Sequence, residues 1–187
     1  MPLRLNIIAA STRPGRVGIS VARWFHEHAN AHGAFDAHLV DLADFDLPIY
    51  DEPKHPRMQD YSHDHTRRWS ESVAAADAFV FVTPEYNYGP TPALVNALNY
   101  VYKEWNYKPA ALVSYGGISG GLRGVEAVKG TLAVLKMMAI PEGVPLPLVF
   151  AQIEDGVFKP KEINDKGADA MLAELAKWAE ALKPMRG

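Results

Sequence analysis

The sequence predicts an α/β fold with a doubly wound, five-stranded parallel sheet in the order 2-1-3-4-5 and helices on both faces. Strand-like runs alternate with helix-like runs along the chain, which is the pattern of βαβ units. Several strand-like runs are apolar on both faces, as expected for strands buried between two helical layers. With 187 residues, the chain is long enough to form one such domain over residues 1–187.

The first third of the chain predicts two strands, one helix and a long loop. Residues 5–10 predict the first strand, and apolar residues recur at helical spacing over residues 17–28. Gly33 is placed to end that helix. Residues 37–42 predict the second strand, and the polar, proline-containing residues 44–65 predict a long loop.

The rest of the chain continues the alternation. The predicted elements are, in order, a helix over 66–76, a strand over 79–82, a helix over 94–105, a strand over 110–114, a helix over 125–138 and a short, proline-interrupted strand over 144–150. A last helix has one apolar face, formed by Met171, Leu175, Trp178 and Leu182. Five strands with intervening helices suit a flavodoxin-like fold, in which ligands bind outside the carboxyl ends of the strands.

The composition narrows the possible partners. The formal net charge is −3 and no polybasic run is present, so we expect neither a nucleic-acid nor a membrane partner. The absence of cysteine excludes disulfides, thiolate nucleophiles and Cys-ligated metals, and it fits a reducing cytoplasm. The apolar run near the N-terminus is too short for a signal sequence or a membrane span. The histidines form no H-E-x-x-H motif, and we expect no metal site.

The loop after the first strand has the chemistry of a phosphate site. Free backbone N–H groups and the positive end of a helix dipole meet there. Ser11 and Thr12 add hydroxyl groups, and Arg13 and Arg16 add charge and bidentate donors. The loop lacks both G-x-G-x-x-G and G-x-x-x-x-G-K-[ST], so one terminal phosphate is expected rather than a pyrophosphate or a nucleoside triphosphate. The alternative is a helix N-cap with two solvated arginines.

The strand over 79–82 runs into the stiffened loop TPEYNYGPTP. Its three prolines fix backbone dihedrals, and Gly89 permits a tight turn. Asn87 offers a donor and an acceptor to the edges of a planar ring, and either tyrosine can stack on one. For Glu85 we favour a structural or ligand-edge role over that of a catalytic acid. In the alternative interpretation, the tyrosines simply pack on neighbouring helices.

A third loop follows the strand over 110–114 and contains Gly116, Gly117, Gly120 and Gly121. Glycines leave backbone N–H groups unshielded where a ligand must approach closely, although a flexible turn before the next helix has the same composition. All three loops follow strands, so they are expected at the same edge of the sheet. Together they suggest a cofactor with a phosphate tail and a flat head.

Three segments, STRPGR from Ser11, TPEYNYG from Thr83 and SYGG from Ser114, closely resemble the NAD(P)H-dependent FMN reductase family. That family has a flavodoxin-like fold and includes quinone, azo-dye and chromate reductases. The resemblance covers about residues 3–150, and the terminal helix is also in place. Two positions depart from the usual pattern: Ala10 stands where the family has glycine and fits only at negative φ, and many members have serine at Arg16.

The resemblance implies a set of cofactor contacts. The FMN phosphate would be held by Ser11, Arg13 and Arg16 with the backbone of Gly18 and Ile19. The isoalloxazine ring would lie between Pro84, Glu85, Tyr86 and Asn87 on one side and Ser114, Gly116 and Gly117 on the other.

The implied reaction needs no catalytic side chain, because the chemistry takes place on the flavin. Hydride passes from NADPH or NADH to FMN and then to a small-molecule acceptor such as a quinone, an azo compound, a metal oxyanion or free flavin. One alternative is a flavodoxin-like FMN electron carrier that serves a protein partner. Another is a flavin-free relative that keeps the fold for protein binding.

Aromatic residues near the helix over 94–105 allow two interpretations. Tyr100, Tyr102, Trp105 and Tyr107 form either plain core or a subunit interface, which favours Tyr and Trp. The resemblance implies a homodimer or a dimer of dimers built by this helix. Lys103 and Arg123 are both candidates to meet a phosphate of the nicotinamide nucleotide.

Overall fold

The computed structural model describes residues 2–186, so Met1 and Gly187, the ends of the predicted domain, lie outside it. Five strands form the sheet: β1 Leu3–Ala9, β2 Phe35–Asp41, β3 Ala78–Pro84, β4 Pro109–Tyr115 and β5 Met138–Leu146. Five helices accompany them: α1 Gly18–His32, α2 Asp64–Ala74, α3 Pro92–Tyr100, α4 Leu122–Val134 and α5 Glu162–Leu182. The order β2-β1-β3-β4-β5 confirms the predicted topology.

All neighbouring strands in this sheet are parallel, and their register aligns the carboxyl ends. Ala9 pairs with Val82, and Pro84 pairs with Tyr115. The loops after β1, β3 and β4 therefore leave the sheet at one edge, as a doubly wound fold requires.

The sheet separates two apolar cores, which explains why its strands are apolar on both faces. Along β3, Val80 and Val82 belong to the core with α1 and α5, whereas Phe79 and Phe81 belong to the core with α2, α3 and α4. This alternation is the two-residue period of a strand, here with both faces buried. Gly33 ends α1 in the left-handed conformation, as predicted.

The predicted helix over 94–105 is wrong in its last turn. α3 ends at Tyr100, Val101 is extended, and Lys103–Trp105 forms a separate 3-10 turn. Tyr100 and Trp105 are fully buried, so these aromatics belong to the core and offer no free interface. The apolar residues continue past the end of the helix because apolar spacing indicates which residues are buried, and residues in a turn can be buried as well.

The boundary between α4 and β5 also differs from the prediction. α4 ends at Val134, four residues before the predicted end, and β5 begins at Met138. The predicted strand over 144–150 therefore overlaps β5 only in residues 144–146, and Val149–Gln152 forms a 3-10 turn. β5 is an edge strand, where prolines are tolerated because one row of backbone groups needs no partner.

The fold also contains a turn within the long loop and a short hairpin after β5. The long loop over 44–65 contains the 3-10 turn Pro56–Met58 and gives way to α2 at Asp64. A short hairpin, β6 Ile153–Glu154 and β7 Val157–Phe158, was not predicted. None of the helices described for residues 2–186 is long and apolar enough to cross a membrane.

Candidate functional site

The loop between β1 and α1 presents unpaired backbone donors. Within residues 2–186, the N–H groups of Ser11, Thr12 and Arg13 have no hydrogen-bond acceptor, nor do those of Gly18 and Ile19 at the start of α1. No side chain caps α1, and its first turn contains no acidic residue. The N-cap alternative therefore does not describe this loop. Its donors and the helix dipole suit an anion.

The two arginines of this loop have different surroundings. Arg16 forms an ion pair with Asp41 at the end of β2, and both side chains are largely buried. The Nε atom of Arg16 is buried and has no hydrogen-bond partner in the part of the chain that the structure describes. Arg13 is exposed and makes no ion pair within the described residues. Arg13 thus supplies the unneutralised positive charge beside the loop.

Tyr115, the last residue of β4, reaches under this loop. It is 4% exposed, and its hydroxyl oxygen lies 2.0 Å from the position that a Cβ atom would take on Gly18. Burial raises the pKa of Tyr115, and a hydrogen bond with Ser11 only partly opposes the rise. Sequence reasoning missed this role, because an aromatic residue that ends a buried strand looks like ordinary core.

A contact made by Thr91 joins the first and second loops. The Thr91 hydroxyl donates to the carbonyl of Ala10 at 2.5 Å and accepts from the N–H of Leu94, so Thr91 also caps α3. Ala10 has a negative φ, which satisfies the condition for an alanine at this position. The strand end and the α3 N-terminus are therefore held at a fixed separation.

The second loop contains a tight two-residue turn. Tyr86 and Gly89 exchange both backbone hydrogen bonds at 2.9 Å, and Asn87 and Tyr88 lie in the left-handed region with φ of 50° and 67°. The expectation that Gly89 provides the turn conformation was wrong, because its φ is not positive. Gly89 is instead the pairing residue, and its carbonyl packs closely against Gly124 of α4.

Glu85 connects the second loop to the third. Its carboxylate accepts from the Ser119 hydroxyl at 2.9 Å and from the Arg123 backbone N–H at 3.1 Å. The Arg123 guanidinium pairs with the same carboxylate and lies over the Tyr88 ring, 3.9 Å from its centroid. With 10% of its side chain exposed, Glu85 has the surroundings of a structural support, one of the two roles that we favoured over that of a catalytic acid.

The third loop is anchored at several points. The Ser114 hydroxyl donates to the carbonyl of Gly120 at 2.7 Å. The carbonyls of Gly116 and Gly117 accept from Val149 and Leu148. The third loop is therefore held in place and is not the flexible turn of the alternative interpretation. The N–H of Gly117 has no acceptor in the described part of the chain. Because the Ser114 hydroxyl is bonded internally, we expect Ser114 to act by positioning the loop.

The remaining candidates lie elsewhere. Lys103 lines a cavity at the opposite edge of the sheet, near Asp77 and Arg186, so it is remote from the three loops. His63 and His65 stack on each other with ring centroids 5.1 Å apart. Among residues 2–186, no group of three or more His, Asp or Glu side chains is arranged to hold a metal ion.

A groove of about 1380 Å³ lies beside the first two loops. Thr12 lines it from the first loop, and Pro90 and Pro92 line it from the second. Its far wall is the long loop after β2, including Ile49, which is 92% exposed. The cofactor residues predicted from the resemblance do not line this groove.

The three loops are thus fixed to one another by Tyr115, Thr91 and Glu85. The first loop offers an anion site, the second forms a rigid proline-containing wall, and the third forms a rigid glycine-containing wall.

Residues 3–150 match the family described as NADPH-dependent FMN reductase. An NAD(P)H-dependent FMN reductase of Nectria sp is 35% identical over 191 residues, covering 96% of this chain and 89% of the relative. One from Schizosaccharomyces pombe is 40% identical over 159 residues, covering 84% and 79%.

A quinone reductase of Pseudomonas putida is 31% identical over 185 residues, covering 95% of this chain and 93% of the relative. Among solved structures, FerB of Paracoccus denitrificans, a flavoenzyme NAD(P)H:(acceptor) oxidoreductase, superposes with a TM-score of 0.74. That likeness covers 96% of this chain and 98% of FerB at 21% identity, and it shows that the fold is shared.

Proposed function

The chain belongs to the NADPH-dependent FMN reductase family, an oxidoreductase family that uses FMN and NAD(P)H, and on that premise we propose that its three loops bind FMN and deliver electrons to a quinone. The observation that carries the proposal is the unpaired row of N–H groups from Ser11 to Arg13 and at the start of α1. A phosphate supplies the acceptors that these donors lack. We further infer that residues 1–187 act as a single flavin-binding domain.

The residues of the first loop fit a terminal phosphate in number and in charge. Ser11 offers a buried hydroxyl, and Arg13 offers a guanidinium that has no ion-pair partner among residues 2–186. Arg16 is already paired with Asp41, so its role is to fix the loop against β2 and to leave its buried Nε atom for a further acceptor. The backbone of Gly18 and Ile19 completes the donor set.

The second and third loops would hold the ring. When bound, FMN supplies the chemistry of hydride acceptance and electron transfer. Pro84, Tyr86 and Asn87 form a wall whose shape is fixed by the turn, and Glu85 holds that wall to the glycine loop. The unpaired N–H of Gly117 is the donor that we expect to stabilise negative charge on the reduced ring.

The names of two relatives support quinones as the class of electron acceptor. The Pseudomonas putida relative is named a quinone reductase, and a Burkholderia relative at 29% identity is named a 2-hydroxy-1,4-benzoquinone reductase. Azo compounds, metal oxyanions and free flavin are the competing acceptors for the assay.

The test is an anaerobic titration of the purified protein. We expect it to take up FMN, the flavin absorbance to bleach when NADPH or NADH is added, and the colour to return on addition of a benzoquinone. A flavin that binds but is not reduced would favour an electron carrier with a protein partner. Failure to take up FMN would contradict the proposal outright.

We also infer that the protein forms a homodimer or a dimer of dimers. The exposed apolar residues beside the site, Ile49 and Val95, lie along the groove and on α3. They, rather than the buried Tyr100 and Trp105, are the surface that a second copy would cover. Exposed apolar groups that line a groove are typical of such contacts.

A further inference from the structure

Tyr115 occupies a position at which the first and third loops meet. Its ring belongs to the core with α1 and α5, and its hydroxyl lies against the N-terminus of α1 at Gly18. The side chains of Ser11, Arg16 and Arg13 are close enough to this hydroxyl to lower its pKa. The phenol therefore ends among the same groups that carry the unpaired donors of the anion site.

The surroundings of this hydroxyl differ from those of the other buried tyrosine. The Tyr100 hydroxyl donates to the carbonyl of Pro48 and to Asp51 at about 3 Å. Within residues 2–186, the Tyr115 hydroxyl donates to no carbonyl or carboxylate oxygen. A buried phenol O–H normally finds an acceptor, so this one is available to a ligand at the loop.

We propose that the Tyr115 hydroxyl is a phosphate ligand, which donates a hydrogen bond to the terminal phosphate of FMN beside Ser11 and so favours FMN over riboflavin. This inference rests on the proposed function, because it requires FMN at the first loop. It adds to the donors of that loop a residue from β4, far away in the sequence.

The protonation state of the phenol agrees with such a role. Burial raises the pKa of Tyr115, and Tyr86 adds to the rise, while Ser11, Arg16 and Arg13 lower it. The net rise keeps the phenol neutral over the range in which flavoproteins are handled. A neutral phenol donates to a phosphate, whereas a phenolate would repel it.

Tyr115→Phe removes the hydroxyl and keeps the buried ring. Dissociation constants for FMN and for riboflavin are measured by the quenching of flavin fluorescence on the refolded apoprotein. We expect FMN binding to weaken about tenfold, the loss of one hydrogen bond to a charged group, and riboflavin binding to stay unchanged. Tyr100→Phe is the matched control, and it should leave the ratio of the two constants as in the wild type.

A second variant and a spectroscopic measurement test the same hydrogen bond. Gly18→Ala keeps the hydroxyl but places a Cβ in its space, so it should also weaken FMN more than riboflavin. The ³¹P resonance of bound FMN should shift between the wild type and Tyr115→Phe. Equal losses for FMN and riboflavin, or no loss for either, would overturn the inference and leave Tyr115 as core. If the wild type bound no FMN, the proposed function itself would fail.

Discussion

The Nε atom of Arg123 lies 3.0 Å from Oε1 of Glu85, so an ion pair joins the second loop to the first turn of α4. The same carboxylate accepts from the Ser119 hydroxyl and from the backbone of Arg123. One carboxylate thus fixes the relative position of the two loops that would enclose the ring.

Glu85→Ala should therefore destabilise the protein more than Arg123→Ala. Loss of the carboxylate removes the hydrogen bonds that the Ser119 hydroxyl and the Arg123 N–H donate to a charged group, which costs about 1.5–3 kcal/mol. Arg123→Ala removes only a half-exposed partner and should cost less than about 1 kcal/mol. Urea denaturation of both variants measures the difference. Equal losses would show that the ion pair, and not the hydrogen bonds, carries the stability.

The two arginines of the first loop should respond differently to truncation. Arg13→Ala should weaken FMN binding more than tenfold, about 1.5–3 kcal/mol, with little change in the free energy of unfolding. Arg16→Ala should lower stability on the order of 3 kcal/mol, because it leaves Asp41 largely buried and unpaired.

Asp41→Asn in the Arg16→Ala background should recover much of that stability, which urea denaturation tests. Flavin fluorescence titration gives the affinities. If Arg13→Ala left the affinity unchanged, the phosphate would have to bind elsewhere.

The left-handed conformation of Tyr88 predicts an order of stability between two substitutions. Tyr88→Gly and Tyr88→Ala both remove the ring that stacks on Arg123. They differ only in a Cβ at φ of 67°, so the glycine variant should be more stable by about 1 kcal/mol. At Gly89, which lacks a positive φ, alanine should cost less than about 0.5 kcal/mol. Thermal or urea unfolding decides both comparisons.

Lys108 predicts a specific pH dependence of stability. Its ammonium donates to the carbonyls of Val73 and Ala74, and burial, followed by the charge of Arg186, lowers its pKa to about 8 from the ordinary 10.5. Between these two values the unfolded chain binds more protons than the native protein, so stability should rise with pH. Below pH 8 both states are protonated, and Lys108 should contribute no slope.

The comparison with Lys108→Met isolates this contribution. The wild type should gain up to about 1.4 kcal/mol per pH unit relative to the variant in this window. Measurements are best kept below pH 10, because the raised pKa values of Tyr61 and Tyr100 make stability fall once the unfolded tyrosines ionise. Parallel slopes for the two proteins would show that Lys108 titrates normally.

The proposed dimer contact predicts which apolar residue matters for assembly. Gel filtration at micromolar concentration should show the wild type as a dimer or tetramer and Ile49→Asp as a smaller species. Ile163→Asp, an equally polar change at a residue of α5 that is 71% exposed, is the control and should leave the assembly intact. A monomeric wild type at that concentration would contradict the inference.

The sequence by itself determined the sheet, its strand order and the edge at which three loops meet. Runs that are apolar on both faces, separated by helical spacing, have few packing solutions, and parallel strands bring all their carboxyl ends to one edge. The hydroxyl groups and arginines of the loop at Ser11 could be located from residue type and position, and their binding of a phosphate stays a prediction. The ends of α3 and α4 were misjudged, because an apolar pattern records burial and not the backbone that provides it.

Only the tertiary structure decided how the loop residues are paired. The pairing of Arg16 with Asp41, the attachment of Glu85 to α4 and the contact of Tyr115 with Gly18 each join separate segments of the chain. No local preference encodes such pairs, since their members meet only after the parallel strands have aligned. The sequence therefore specifies which groups reach the edge of the sheet, and packing selects the partner of each.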